Sequence, residues 1–265
     1  MQINSSFIAF DNKVGLLYDQ TAHEKYPLSY YNVIDGEGLT ITPEHSYYGF
    51  VYKGDVGLDN FKNQSQQILT EGMYFSFSGS GGFNECVKGK AIVIEVNHKG
   101  GVYPLTGYKA MNVYAGPVEE EGRLKYIDGC TDSLLIPPVK LGDPCFNHLH
   151  FPKNITQTPH THPSDRIGIV SKGYGQCITP FGDLPLTEGM IFVIREWDGE
   201  TYDTGLDGKV YPNGTHKFNT QDSSMDVIAF HPDSDFGATD IFHPMINRTF
   251  VDGVSANEIE DIRTK

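Results

Sequence analysis

The chain has 265 residues, enough for one large or two small domains with a substantial core. Its 38% hydrophobic and 12% aromatic content excludes wholesale disorder, and the scatter of 29 Gly and 15 Pro is typical of many short strands joined by tight turns. A formal net charge of −14, with no Lys/Arg cluster to offset it, repels phosphate backbones and argues against nucleic-acid binding.

The first ten residues carry neither a basic stretch nor a long apolar one, so no signal peptide is expected. No apolar run nears the roughly 18–20 residues that span a membrane. Cys86, Cys130, Cys145 and Cys177 lack Cys-x-x-Cys spacing and read as buried or free thiols. A soluble cytoplasmic protein without membrane contact is expected.

In chain order, alternation and β-branched or aromatic content predict strands at Phe7–Phe10, Tyr47–Tyr52, Met73–Phe77 and Lys90–Val96. A second set follows at Asn147–Phe151, Arg166–Val170, Met190–Ile194 and Met225–Phe230. Only Asn60–Ile68 and the tail from Ala256 hint at a helical period, the first worth a turn or two. The linker falls near 105–130, and Pro137-Pro138 rules out helix in the segment after it.

One phrase occurs twice. Leu69-Thr70-Glu71-Gly72-Met73 returns 117 residues later as Leu186-Thr187-Glu188-Gly189-Met190. Gly49-Phe50-Val51-Tyr52-Lys53-Gly54 returns after 119 as Gly168-Ile169-Val170-Ser171-Lys172-Gly173. Two copies of one β unit are therefore expected, residues 1–115 and 116–265, packed together so that neither leaves bare edges.

The copies differ in chemistry. Six residues before Gly168 stands His162, with His160 two earlier; the matching residues in the first copy are Pro43 and Ile41. Residues i and i+2 of a strand share a face, so His160 and His162 would offer two imidazoles side by side to a metal. His148 and His150 share a face of the preceding strand and are candidates to line the same cavity, against the simpler reading of buried histidines with ordinary partners. Gln157 reads as a solvent-facing turn residue, and His231 and His243, each before a proline, as loop residues. The Gly-Ser-Gly-Gly at 79–82 and the His98-Lys99-Gly100-Gly101 stretch read as turns. Motifs for a serine nucleophile, a phosphate loop or a dinucleotide are missing.

These residues resemble the cupin pattern, Gly-x5-His-x-His-x3–4-Glu-x6-Gly followed by Gly-x5-Pro-x-Gly-x2-His-x3-Asn. His160-Thr161-His162 is followed by three residues, Arg166, six residues and Gly173. Gly189 opens the second motif, which an insertion near 195–215 splits before it resumes at Pro212-Asn213-Gly214-Thr215-His216-Lys217-Phe218-Asn219, one residue short on each side of His216. The resemblance covers roughly 145–232, and more weakly 40–98. It implies an all-β bicupin of two jelly-roll barrels, the first degenerate, the second holding one divalent metal among His160, His162 and His216.

One position departs from the pattern. Arg166 stands where most metal-binding cupins have Glu, and a guanidinium cannot ligate a cation. A three-histidine site, as in those cupin dioxygenases that also lack the glutamate, leaves Arg166 to grip a substrate carboxylate or phosphate. Alternatively Asp165 supplies the carboxylate, or no catalytic metal binds. Trp197 and Tyr202 in the insertion suggest an aromatic lid over the substrate.

The resemblance thus implies a non-haem metal-dependent oxidoreductase, a dioxygenase with iron(II) favoured over manganese, nickel or zinc. Its substrate would be a small anion bound by Arg166, Trp197, Tyr202, His148 and His150. A Lewis-acid isomerase or lyase, or a non-enzymatic small-molecule binder, remains the alternative, and homodimerisation is left open.

Overall fold

The computed structural model describes residues 1–60, 64–79, 81–84, 88–97, 109–235, 237–238, 243 and 245–260. Each of the eight expected strand segments falls on a strand, two of them starting one residue later at Tyr74 and Ile191: Phe7–Phe10, Ser46–Asn60, Tyr74–Ser78, Gly89–Val96, Cys145–Phe151, Arg166–Ile178, Ile191–Ile194 and Met225–His231. Gly15–Gln20, Leu28–Ile34, Thr131–Ile136 and Leu184–Thr187 are further strands. The hint of helix at Asn60–Ile68 gives way to strand Ser65–Thr70, and the tail makes one 3₁₀ turn, Ala256–Glu258. Cys86 and the His98–Gly101 turn lie outside the described residues.

The repeat is visible as two equivalent ladders. Ser46–Asn60 pairs with Gly89–Val96, setting Tyr48 opposite Ile94; Arg166–Ile178 pairs with Met225–His231, setting Ile167 opposite Phe230. Each long strand is bulged within the repeated phrase, between Val51 and Lys53 and between Val170 and Lys172. The strand then bends away and its far end joins a smaller sheet, Ser65–Thr70 and Gly82–Asn84 in one half, Leu184–Thr187 and Lys217–Asn219 in the other. Gly54 and Gly173 sit at the bend with φ of 65° and 73°; a Cβ there would lie 2.5 Å from the Lys88 carbonyl oxygen and 2.0 Å from that of Ser224. The second glycine of each phrase is therefore demanded by the bend.

Two closed jelly-roll barrels were expected, and the strand pairing overturns this. Closure requires the first and last strands of a sheet to share a ladder. Instead the described residues form two large open antiparallel sheets, of 10 and 8 strands, and two separate two-stranded ribbons. The larger runs from Gln2–Ile3 at one edge to Leu124–Lys125 at the other, and the smaller from Val113–Ala115 to Gly15–Gln20. Three of these edge strands have only two or three residues, too short a row of backbone groups to build a closing ladder.

The sheets pack face to face. Tyr30, Tyr48, Phe50, Ile92 and Ile94 of the first half meet Phe146, Ile167, Ile169, Ile228 and Phe230 of the second in one buried cluster. Tyr48 lies on Phe230 with ring centroids 5.0 Å apart, and the buried Tyr30 hydroxyl donates to the Gly168 carbonyl at 3.2 Å. The opposite face of each large sheet carries its own core, one around Phe75 and Phe77, the other around Phe151, Phe192 and Phe218. Strand Phe7–Phe10, from the start of the chain, pairs with Ile191–Ile194 in the second half's sheet. No described helix is long and apolar enough to cross a membrane.

Candidate metal centre

The histidines lie beside the second half's own core, on the face of its large sheet turned away from the first half. His160 and His216 exchange backbone hydrogen bonds, His160 N to His216 O at 2.9 Å and His216 N to His160 O at 3.0 Å, which sets their rings side by side. The segment around His160 is largely irregular chain, tied by isolated bridges from Thr156 to Asn219 and from His160 to His216, yet it delivers His162 to the same point. Ring centroids are separated by 4.4 Å (His160–His216), 5.0 Å (His160–His162) and 5.2 Å (His162–His216). One ring nitrogen from each can be chosen so that all lie within 4.8 Å of one another.

Donor chemistry fits a cation. His160 Nδ1 lies 2.9 Å from the Thr158 carbonyl and His216 Nδ1 2.8 Å from that of Gly214. A carbonyl only accepts, so in each neutral ring Nδ1 carries the proton and Nε2 keeps its lone pair, the usual arrangement behind a metal-bound imidazole. Burial, reinforced by Arg166 and the neighbouring rings, pushes His162 below its ordinary value; burial and His160 bring His216 down to about 3. His162 and His216 are thus held neutral at physiological pH, with a ring nitrogen free to meet a cation. This cluster is capable of coordinating a divalent metal.

Around the cluster is a cavity of about 40 Å³, walled by Leu149, Phe151, Phe192, Ile194 and Phe218, with Arg166 and His231 at one side. Arg166 is 15% exposed. Its Nη1 donates to the Ser164 carbonyl at 3.1 Å and to the Ser164 hydroxyl, and stands 3.5 Å from Asp233 Oδ1. Its Nε is buried and has no partner.

The other expected residues lie elsewhere. Asp165 is turned away from the metal cluster: Tyr18 OH donates to one of its oxygens at 2.8 Å and Glu196 N to the other at 2.8 Å. His148 and His150 are on the wrong face. Cys145, Asn147, Leu149 and Phe151 look towards the cavity side of their strand, while His148 and His150 share Asp226 Oδ1 at 3.0 and 2.7 Å on the other. Trp197 donates its backbone N–H to His162 O at 2.8 Å, but neither it nor the 52% exposed Tyr202 lines the cavity. The insertion instead forms the hairpin Tyr202–Thr204 and Val210–Pro212, docked on Ser5.

Three residues were missed or misread. His231 ends strand Met225–His231 and its ring lines the cavity; burial and Arg166 push it well below its ordinary value. Gln157 is buried, its Oε1 accepting from Phe218 N at 3.2 Å and its Nε2 facing Cys130 Sγ. Tyr126 completes the wall. A proline after His231 hid the strand end, and nothing in the sequence marked the other two.

No protein-family model and no curated protein sequence matches the chain. Solved structures do resemble it. A Cupin 2 conserved barrel domain protein from Leptotrichia buccalis matches with TM-score 0.51 and 12% identity over 87% of this chain and 90% of its own. Protein Ylba from E. coli matches with TM-score 0.54 and 13% identity, covering 88% and 85%. An 11S globulin from Wrightia tinctoria with an auxin binding site gives 0.51 and 9% over 92% and 88%. At such identities the likeness concerns the fold, and together with the repeated ladders and the three-histidine cluster it gives the chain a cupin-like, bicupin-type fold with a candidate metal centre in its second half.

Proposed function

We propose that the chain is a metal-dependent cupin enzyme, its second half a non-haem iron dioxygenase site for a small anionic substrate and its first half a degenerate, metal-free copy. His160, His162 and His216 would hold the ion, and a bound iron(II) with three protein ligands keeps coordination positions open for substrate and dioxygen.

Support comes from Arg166. A guanidinium whose buried Nε–H has no partner, on the same small cavity as three imidazoles, is a donor waiting for an acceptor. A substrate carboxylate or phosphate supplies that acceptor. The apolar walls of Leu149, Phe151, Phe192 and Phe218 exclude water and strengthen the contact. His231, held neutral beside Arg166, would add its ring N–H as a second donor to the same acceptor.

The test is oxygen uptake by iron(II)-loaded protein against a panel of small carboxylic and phosphorylated acids. Uptake that depends on both metal and acid, and is lost with His162→Ala, supports the proposal. Turnover of an acid without oxygen consumption would replace it with the isomerase or lyase alternative. Tight acid binding without any turnover would leave a binding protein, the role that the globulin's auxin site illustrates on a similar fold.

A further inference from the structure

Arg166 and His231 line a second space besides the metal cavity: a cleft of about 560 Å³ that opens beside them. Both spaces lie along one face of the large sheet. On strand Cys145–Phe151 the same face runs from Cys145 and Asn147, in the cleft, to Leu149 and Phe151, at the metal cavity. Cys145 pairs with His231 and Asn147 with Ala229, so the cleft continues the cavity across Arg166 and His231. The inner cavity holds little more than a reacting group, and the body of any larger substrate has to extend into the cleft.

The cleft's chemistry is one-sided. It presents the carboxylates of Asp132, Asp233 and Asp235 and a single cation, Arg166, which Asp233 already faces. Asn147 adds an independent sign. It is 7% exposed, and its amide nitrogen donates to both oxygens of Asp132, at 2.9 and 3.1 Å. This fixes the amide orientation, because a flip would set its oxygen against a carboxylate. Asn147 Oδ1 is left as a buried acceptor with no partner. A carbonyl oxygen without a donor, next to a half-buried carboxylate, calls for N–H groups carrying positive charge. Burial holds the Asp132 carboxyl above its ordinary pKa, a cost that a bound cation would relieve.

We infer that this cleft is a subsite for an ammonium or amidinium group on the substrate, received by Asn147 Oδ1 and Asp132 with Asp235 at the mouth; this rests on the function proposed above in taking the substrate's anionic end to sit at Arg166. The substrate class is then a zwitterion, a small acid carrying a basic nitrogen, rather than a simple anion.

The experiment is calorimetric titration of zinc-loaded protein, zinc serving as a redox-inert ion, with glycine, β-alanine, 4-aminobutyrate and 5-aminovalerate. The amine-free acids of the same lengths and n-butylamine alone are titrated alongside. At the chain length that spans the two spaces, the amino acid should bind about tenfold or more tightly than its plain counterpart, the scale of a desolvated charge-assisted hydrogen bond. Asp132→Asn and, separately, Asn147→Leu should erase that advantage while leaving zinc content and plain-acid affinity unchanged. Asp235→Asn, at an exposed position, should reduce the advantage without risk to folding. No preference for the amine at any length, or a preference that survives all three substitutions, overturns the inference. If plain acids fail to bind while n-butylamine binds and Asp132→Asn abolishes it, the subsite stands and the anionic end at Arg166 is what fails.

Discussion

In the first half, Tyr47, His45 and Glu95 close on one another. Glu95 is 7% exposed, and accepts from the Tyr47 hydroxyl at 2.8 Å and the Tyr31 hydroxyl at 3.1 Å, with His45 Nδ1 at 2.8 Å. The repeat offset and the two ladders put Arg166, Ser164 and His231 at the corresponding places in the second half. There the set does not close: Arg166 reaches Ser164 and Asp233, and its Nε is left over. One scaffold thus carries a polar cluster that satisfies itself and one that retains a free donor, and only the latter has business with a ligand.

The interiors differ in the same sense. Phe77 stacks on Tyr47 with centroids 5.0 Å apart where the second half has Ile194 and Arg166. Phe75 over Gly49 has a counterpart in Phe192 over Gly168, but sits tighter, 2.2 Å against 3.0 Å from where a Cβ would stand. At the ligand positions the first half has Ile41, Pro43 and, by the pairing of Asn84 with Gly57 against that of Asn219 with Gln176, Gly81. A Cβ on Gly81 would lie 2.7 Å from the Asp59 carbonyl oxygen, so a grafted histidine has no room there. Among the described residues the only three-ligand group is in the second half.

The largest effect expected is all-or-none. His160→Ala with His162→Ala should take bound metal from about one equivalent per chain to near zero, by elemental analysis of protein loaded with one metal and desalted, since one imidazole does not make a site. A parent that holds two equivalents, or a variant that keeps one, breaks the comparison. Next, Phe75→Ala should destabilise the fold by about 3–5 kcal/mol in denaturant unfolding, with metal content unchanged, because the first half's filling is structural. A shift under about 1 kcal/mol would mean that half tolerates a cavity too.

Gly54→Ala and Gly173→Ala sharpen the equivalence of the two bends. Each should cost more than about 1 kcal/mol, since both combine positive φ with a close carbonyl. A loss confined to one half would show that the repeat does not share its strain. Smallest is Arg166→Ala, which should weaken binding of small acids about tenfold, near 1.4 kcal/mol, with metal retained. Arg166→Glu should instead tighten metal and abolish acid binding. Equal acid affinity in all three proteins would remove Arg166 from the site.

Strand positions were legible because alternation of apolar and polar residues is a local property; His160 and His162 do come together, but on irregular chain rather than on the shared strand face that their spacing suggested. Closure was not legible, since whether Gln2–Ile3 meets Leu124–Lys125 depends on the lengths and twist of distant edges. The face of His148 and His150 was misread for a different reason. All seven residues of Cys145–Phe151 are buried, because both faces of the strand are covered, and a strand covered on both sides loses the pattern that would tell inside from outside. His231 was lost to the proline that follows it, which suggested a loop where the strand carries on for one more residue.

Strand Phe7–Phe10 has a consequence for the order in which the molecule is assembled. Its ladder partner Ile191–Ile194 emerges some 180 residues after it. Until that partner emerges, Phe7, Ile8 and Ala9, all buried in the finished protein, have only the two-residue strand Gln2–Ile3 to pair with. Closing so long a loop is slow, and this strand cannot join the second half's sheet until Ile191–Ile194 is made. A fragment beginning at residue 116 would leave the flank of Ile191–Ile194 bare, and a bulky fusion at Met1 would load the one strand that has farthest to travel.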